Sequence, residues 1–418
     1  MGETKKKRIG IISLGYAWLP CEPGPSRFYD IARIFVENGY EVDLIGSSFQ
    51  HYEKRPKDQK KIAEQNYPFH NTFIEVPPYK KNIDLRRVYS NKVAVKNVMK
   101  HLKQNEYDII YNSIPANNIS AQVGEYCKKN DIPYIVDVED LWPEAMKMVF
   151  DVPVLSNILF YGFKRDAERA YACADAVIGT SKEYTIRAFK YQKRNIPNYT
   201  VYVGCNMEVF DQGVQENIDK VEKKQNEFWI TYAGTIGTSY DIKTLVQAGK
   251  QLLFYPDIKI KVLGTGPLKE ELEQYAREKN ITNVSFLGYM AYTDMAAYLA
   301  KSDVLLNSFV KGAPQSIVNK IGDYLSAGKP MINTLENNEF MELVDEKNFG
   351  INIEPEKEDV LADAILRYYK DARLCSEHGE NARKTAEECF DRKRTYLKMV
   401  QIADRLVEKN LTDDRSVR

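Results

Sequence analysis

Apolar residues along this chain fall into two kinds of stretch, and the two alternate. RIGIISL (8–14) is an unbroken apolar run, the mark of a strand buried on both faces of a parallel sheet. RFYDIARIFVENG (27–39) instead repeats its apolar residues at helical spacing, with Ser26 as the cap and Gly39 as the stop. EVDLIGS (41–47) returns to the strand pattern, as do TFIEV (72–76), YDIIYNS (107–113), PYIVDV (133–138), AVIGTS (176–181) and TVYVG (200–204). This alternation predicts a first Rossmann-like, doubly wound α/β domain over residues 1–210. Residues 211–227 hold only three aliphatic side chains and no aromatic one, which predicts a linker or an inserted excursion. A second alternation then begins with FWITYAG (228–234), IKIKVLG (258–264) and VSFLGY (284–289), and continues through DVLLNSF (303–309), PMINT (330–334) and GINIE (350–354). It predicts a second parallel-sheet domain of the same class over 228–391. Helical spacing over 357–372, 376–390 and 393–409 closes the chain, and the polar tail LTDDRSVR (411–418) predicts fraying. Two such domains facing a cleft place the carboxyl ends of many strands around one ligand site.

Composition narrows the class without naming a ligand. At 418 residues, 44% hydrophobic and 28% charged, the chain reads as an ordinary soluble protein with more than one core. A formal net charge of zero gives no reason to invoke nucleic acid. Six scattered cysteines and four histidines form no CxxC or Cys/His cluster, which argues against a structural zinc or a disulfide scaffold and fits a reducing, cytoplasmic setting. KKKR ahead of the first apolar run mimics a signal peptide, but the run is short, lacks a small-residue cleavage site and leads into the turn PGPS. No stretch reaches the roughly 20 apolar residues that span a bilayer. Charge is nevertheless uneven: residues 51–104 hold 13 Lys and Arg against 5 Asp and Glu. Such a stretch is either a solvated face or a dock for an anionic membrane surface.

Three segments carry candidate chemistry. In QSIVNKIGDYLSAGKPMINT (315–334), helical spacing puts Ile317, Val318, Ile321, Tyr324 and Leu325 on one arc. Asn319, Asp323 and Ser326 lie opposite, with Lys320 at the edge. Amides from Ser316 through Ile317 and Val318 to Asn319 would then open the helix and offer an anion site. The plainer reading is an exposed helix with an i,i+3 Lys320–Asp323 pair. Gly322 fits there if something must approach the backbone closely. Next, YAGTIGTSYD (232–241) and VLGTGPLKEEL (262–272) set Gly234, Thr235, Gly237, Thr238 and Gly264 at strand-to-helix turns, where amides can hold phosphate oxygens. Neither is GxGxxG, and there is no Walker lysine loop. In VDVEDLWPEAMKM (136–148), Asp137, Glu139 and Asp140 stack acids at a strand's carboxyl end, as a base, as a hydroxyl acceptor, or with Asp140 as a helix cap.

The ordered set PGPSRFYDIARIFVENGYEVDLI, DLWPE, ADAVIGTS, GCNMEVF, YAGTIG, GTGPLKEEL, NVSFLGYM, SDVLLNSF and DYLSAGKPM resembles the glycosyltransferases of family 4 nearly end to end. The Asp-Leu-Trp-Pro-Glu variant is similar to that of bacterial surface-polysaccharide transferases. This resemblance implies the two-Rossmann GT-B fold, retention of anomeric configuration, no obligatory metal or other cofactor, and a last helix (392–418, with the tail) crossing back to the first domain. It implies a nucleoside diphosphate sugar, UDP-sugar favoured, bound by the second domain, with the base held near Leu287, Tyr289 and Met290. A lipid-linked or oligosaccharide acceptor would lie on the first domain, where Gly15, Tyr16, Gly24, Arg27, Glu139, Trp142 and Glu144 are the candidates. The family's motif has two glutamates eight residues apart; anchored on DYLSAGKPM, these become Gln315 and Asp323, the latter the ribose ligand. Sliding the register to restore Gly-x-Pro would instead put Asn319 at the second site. The usual Arg and Lys that clamp the diphosphate are Thr235 and Tyr240, and Lys320 is the candidate replacement. Pro25 removes an amide donor beside Gly24. Asp140, Gln315 and Lys320 are therefore the catalytic candidates of a peripheral or cytoplasmic hexosyltransferase. The rivals are a GT-B nucleotide-sugar epimerase and a non-catalytic nucleotide-sugar-binding subunit. An NAD oxidoreductase is disfavoured by the missing fingerprint.

Overall fold

The computed structural model describes the chain except residues 1–5, 16–18, 20–26, 52, 82–83, 143–154, 190–193, 314 and 417–418. The expectations for Tyr16, Gly24, Pro25, Ser26, Pro143 and Glu144 therefore lie outside the described residues. The chain divides into two compact units, Met1–Val201 with Tyr396–Arg418, and Tyr202–Thr395.

The first unit is built on strands β1 (Arg8–Ile12), β2 (Glu41–Ser47), β5 (His70–Ile74), β6 (Ile109–Ile114), β7 (Tyr134–Val138), β8 (Ala176–Gly179) and β9 (Asn198–Thr200), in the order β5-β2-β1-β6-β7-β8-β9. Every pairing in this sheet is parallel. A two-strand hairpin, β3 (Phe49–Gln50) with β4 (Arg55–Pro56), stands apart from it. The unbroken apolar runs are explained by two cores, one on each face. Ile9 and Ile11 point into one with helix Arg27–Glu37, while Ile12 and Ile110 point into the other with helices Leu85–Gln104 and Asn117–Lys129. The chain's last helix, Leu397–Ser416, belongs to this unit. It buries Met399, Val400, Ala403 and Val407 in the first core, and Asp404 accepts hydrogen bonds of 2.8 Å from both Lys7 and Tyr40. Helix continues to Ser416, where the polar sequence predicted a frayed tail from 411.

The second unit holds β10 (Phe228–Ala233), β11 (Ile258–Leu263), β12 (Val284–Gly288), β13 (Val304–Asn307), β14 (Met331–Asn333) and β15 (Gly350–Asn352), all parallel, in the order β12-β11-β10-β13-β14-β15. In both sheets the order reverses beside the first strand, between β1 and β6 and between β10 and β13, and those reversals are where doubly wound sheets open a crevice.

The predicted linker is a correction. Helix Met207–Asn217 and a 3₁₀ turn, Ile218–Lys220, occupy most of it, and the first unit ends at Val201 rather than at 210. Few apolar side chains suffice because this helix packs backbone-close on helix Tyr292–Lys301. A Cβ on Gly213 would lie 2.9 Å from Thr293 Cα. Toward the carboxyl end, helices Glu358–Lys370 and Ala372–Thr385 run into a π turn over Ala386–Phe390.

Candidate functional site

In the second unit the chemistry gathers at the β10/β13 reversal. The chain leaves β10 at Gly234 (φ +150°) and β11 at Gly264 (φ +128°). The two loops lie on each other: the Gly234 amide donates to Leu263 O (3.0 Å) and the Ile236 amide to Thr265 O (2.9 Å). A Cβ at Gly264 would fall 1.9 Å from Gly234 O, so that glycine serves loop-on-loop packing as well as a left-handed turn. Thr235 and Thr238 are exposed, Gly237 is buried, and the amides of Gly234 and Ile236 in this loop are already engaged.

The helix of the 315–334 segment spans Lys320–Ser326, not Ser316 onward. Ser316 and Ile317 are buried, and Ile317 enters the same core as Ile321, which draws the chain into a turn there instead of a helical first coil. The expected row of helix-opening amides from Ser316 to Asn319 is thus absent, which corrects that reading. Gly322 is also not opened toward a ligand: a Cβ there would meet Gly204 C at 2.7 Å and Cys205 N at 2.8 Å.

Nor does Lys320 pair with Asp323. The ammonium of Lys320 lies over the rings of Tyr232 (4.3 Å), Tyr240 (4.9 Å), Phe309 (5.2 Å) and Tyr324 (5.6 Å). It is buried, has no hydrogen-bond partner among the described residues, and burial pulls its pKa down to about 7. Two of the rings are tied down, Tyr232 by donating to Thr235 O (2.7 Å) and Tyr324 by donating to Ala233 O (3.0 Å). Ring faces attract a cation but do not neutralise it. Among the described residues, Gln315 Oε1, Ser316 Oγ and Lys320 Nζ are buried and have no hydrogen-bond partner. Concentration of orphans in one short segment points to a ligand that satisfies them. Asp323 faces elsewhere. Burial raises its pKa, while the Tyr292 hydroxyl donates to it (2.7 Å) and Cys205 and Arg392 favour its charged form. Leu287 and Met290 are half-buried against the same core as Ile321, and Tyr289 is exposed.

In the first unit a pocket opens at the β1/β6 reversal. Gly15 and Trp142 line it, with Phe49, His51, Tyr79 and Arg87. The Arg87 guanidinium lies 4.7 Å from the centre of the Trp142 ring, and Trp142 Nε1 donates to Asp140 (3.1 Å). Asp140 also accepts from the Leu141 amide (2.9 Å); burial raises its pKa and these bonds oppose the rise. Arg27 and Glu139, expected to touch an acceptor, are found bonded to each other. The Arg27 guanidinium, only 4% exposed, also donates to Asp137 (2.6 Å), which accepts from Tyr111 as well (2.6 Å). That network supports the ends of β6 and β7 from within.

Several site residues escaped the sequence reading. The aromatic box was hidden because Tyr232, Phe309 and Tyr324 look like core positions until the fold gathers them around one lysine. His51, Tyr79 and Tyr292 lie in stretches whose pattern gave no sign of a site. Among the described residues no group of three His, Cys, Asp or Glu is placed to hold a metal.

The family model for group 1 glycosyl transferases matches residues 214–385, within the second unit. WcaI of Escherichia coli K12, a putative colanic acid biosynthesis glycosyl transferase, is 25% identical over 193 residues, 46% of this chain and 47% of that protein. The chain thus matches that curated relative over about half its length. Sucrose-phosphate synthase from Thermosynechococcus elongatus superposes with a TM-score of 0.71 at 18% identity, covering 97% of this chain and 100% of that one. HepE of Anabaena, solved in complex with UDP, gives 0.66 at 17% identity, over 97% and 100% of the two chains. The chain has the GT-B fold of two Rossmann-like units, and its second unit is related to the group 1 glycosyl transferases.

Proposed function

We propose that the protein is a retaining glycosyltransferase of family 4. It would move a hexosyl group from a nucleoside diphosphate sugar, with UDP favoured, to a lipid-linked or oligosaccharide acceptor in surface-polysaccharide synthesis, without an obligatory metal. The observation that carries this reading is Lys320, a buried ammonium with no counter-ion among the described residues, at the β10/β13 reversal. A buried charge left alone is costly, and a diphosphate in the adjoining crevice would offset that cost. UDP in the HepE complex supports the choice of uridine.

In this reading Lys320 holds the leaving diphosphate, with Thr235 and Thr238 beside it. Gln315 presents its unpartnered carboxamide oxygen to a hydroxyl of the donor sugar, and Asp323, oriented by Tyr292, takes the ribose hydroxyls. The acceptor occupies the pocket of Gly15, Arg87 and Trp142. As the bond from the anomeric carbon to the β-phosphate oxygen breaks, the acceptor hydroxyl bonds to that carbon on the same face. Its proton passes to the leaving phosphate. A carboxamide in place of the family's first glutamate is compatible with that route, because no side chain needs to accept the proton.

Gln315 also favours a second reading, a non-catalytic subunit that binds nucleotide sugars. Release of free UDP from UDP-glucose and UDP-galactose separates the two. Slow release that Lys320→Met abolishes is expected. Tight donor binding with no release in the presence of membrane-extracted saccharide lipids would overturn the enzymatic reading.

A further inference from the structure

Helix Leu85–Gln104 has two faces of opposite purpose. Ser90, Ala94, Val98 and Leu102 are buried, and its first turns contribute Arg87, Ser90 and Asn91 to the acceptor pocket. The outward face starts with Leu85 (86% exposed), Val88 (44%) and Tyr89 (60%), three of the ten large hydrophobic side chains that stand exposed among the described residues. Spaced i, i+3 and i+4, they form one apolar turn. Lys92, Lys96, Lys100 and Lys103 continue the same exposed stripe, Arg86 flanks it, and the helix contains no acid at all. Elsewhere exposed helices pair their cations with acids, as in Arg33–Glu37, Lys164–Glu168 and Lys269–Glu273. None of the four stripe lysines, Arg86, Lys80 or Lys81 has an ion pair among the described residues.

Exposed apolar side chains in one turn, followed by a row of unpaired lysines, match the chemistry of an anionic bilayer surface: the apolar turn enters the acyl boundary and the ammonium groups meet phosphates. We propose that this helix lies on an anionic membrane, with Leu85, Val88 and Tyr89 inserted. Because its opposite face lines the pocket, the acceptor is a saccharide carried on a lipid. That last step rests on the glycosyltransferase reading; membrane docking does not.

The test is co-sedimentation of the full chain with phosphatidylcholine vesicles, with and without about one third phosphatidylglycerol. Binding only to the anionic vesicles is expected. L85S/Y89S and K92E/K96E/K100E should each cut the bound fraction by about tenfold or more. All substituted side chains are exposed, so unchanged melting and an unchanged response to UDP confirm folding. Equal binding to neutral vesicles, or equal binding by the variants, would overturn the proposal. So would a self-association in solution that L85S/Y89S abolishes while no vesicle binding is seen. If vesicle binding follows expectation yet UDP produces no response, docking stands and the transferase reading fails.

Discussion

Lys320 carries more of the site than any other residue, and its environment makes a pH prediction with a definite sign. Its pKa falls from 10.5 to about 7 in the folded chain, so the unfolded chain binds the extra proton between those values. Burying the ammonium therefore costs most below pH 7, and the cost shrinks as pH rises toward 10.5. Lys320→Met should melt higher than the native chain at about pH 6, and this advantage should narrow by about pH 9. A constant difference across that range would contradict the buried-cation account. Gly264 makes a purely steric prediction: with φ +128° and a Cβ position 1.9 Å from Gly234 O, Gly264→Ala should destabilise the second unit by about 2–4 kcal/mol in chemical denaturation. At this scale the sequence was an uneven guide. It singled out Lys320 and Asp323, since a lysine and an acid on an amphipathic helix are visible. It misplaced their partners, since an aromatic box assembled from Tyr232, Phe309 and Tyr324 depends on which strands become neighbours.

Among the elements, the strands were the most legible, because burial on both faces leaves unbroken apolar runs such as RIGIISL and FWITYAG. The helix over 207–217 was not legible, because its buried Met207 and Phe210 precede the polar stretch from 211 and the rest of it docks through Gly213. The helix of the 315–334 segment was found but begun four residues early, since Ile317 and Ile321 fit helical spacing although Ile317 belongs to a turn. Helix Leu397–Ser416 supplies the clearest prediction here. Met399, Val400, Ile402, Ala403 and Val407 are buried in the first unit's core, and burying a side chain such as Val or Met contributes about 1.5–3 kcal/mol. Deleting residues 396–418 should therefore remove most of that unit's stability and yield aggregated or molten protein by circular dichroism. A cooperative transition close to that of the full chain would show that the helix only decorates the unit.

For the whole molecule, zero formal charge conceals a basic stretch over 51–104, and composition alone could not distinguish a solvated face from a lipid-facing one. The sequence already sets Lys92, Lys96, Lys100 and Lys103 on or beside one predicted helix, whereas the exposure of Leu85, Val88 and Tyr89 at its head required the fold. The two strand-order reversals divide the proposed work, with an aromatic-boxed cation on the second unit and an arginine–tryptophan pocket on the first. The claim underlying the whole account is that Lys320 awaits a nucleoside diphosphate. It is tested most directly by calorimetric titration of UDP, GDP and ADP into the full chain and into Lys320→Met near pH 7. The native chain should bind UDP, and the substitution should weaken binding at least about tenfold, or about 1.4 kcal/mol, without loss of fold. Equal UDP affinity in the two proteins would mean that the buried ammonium plays no part in donor binding, and the site would have to be sought elsewhere.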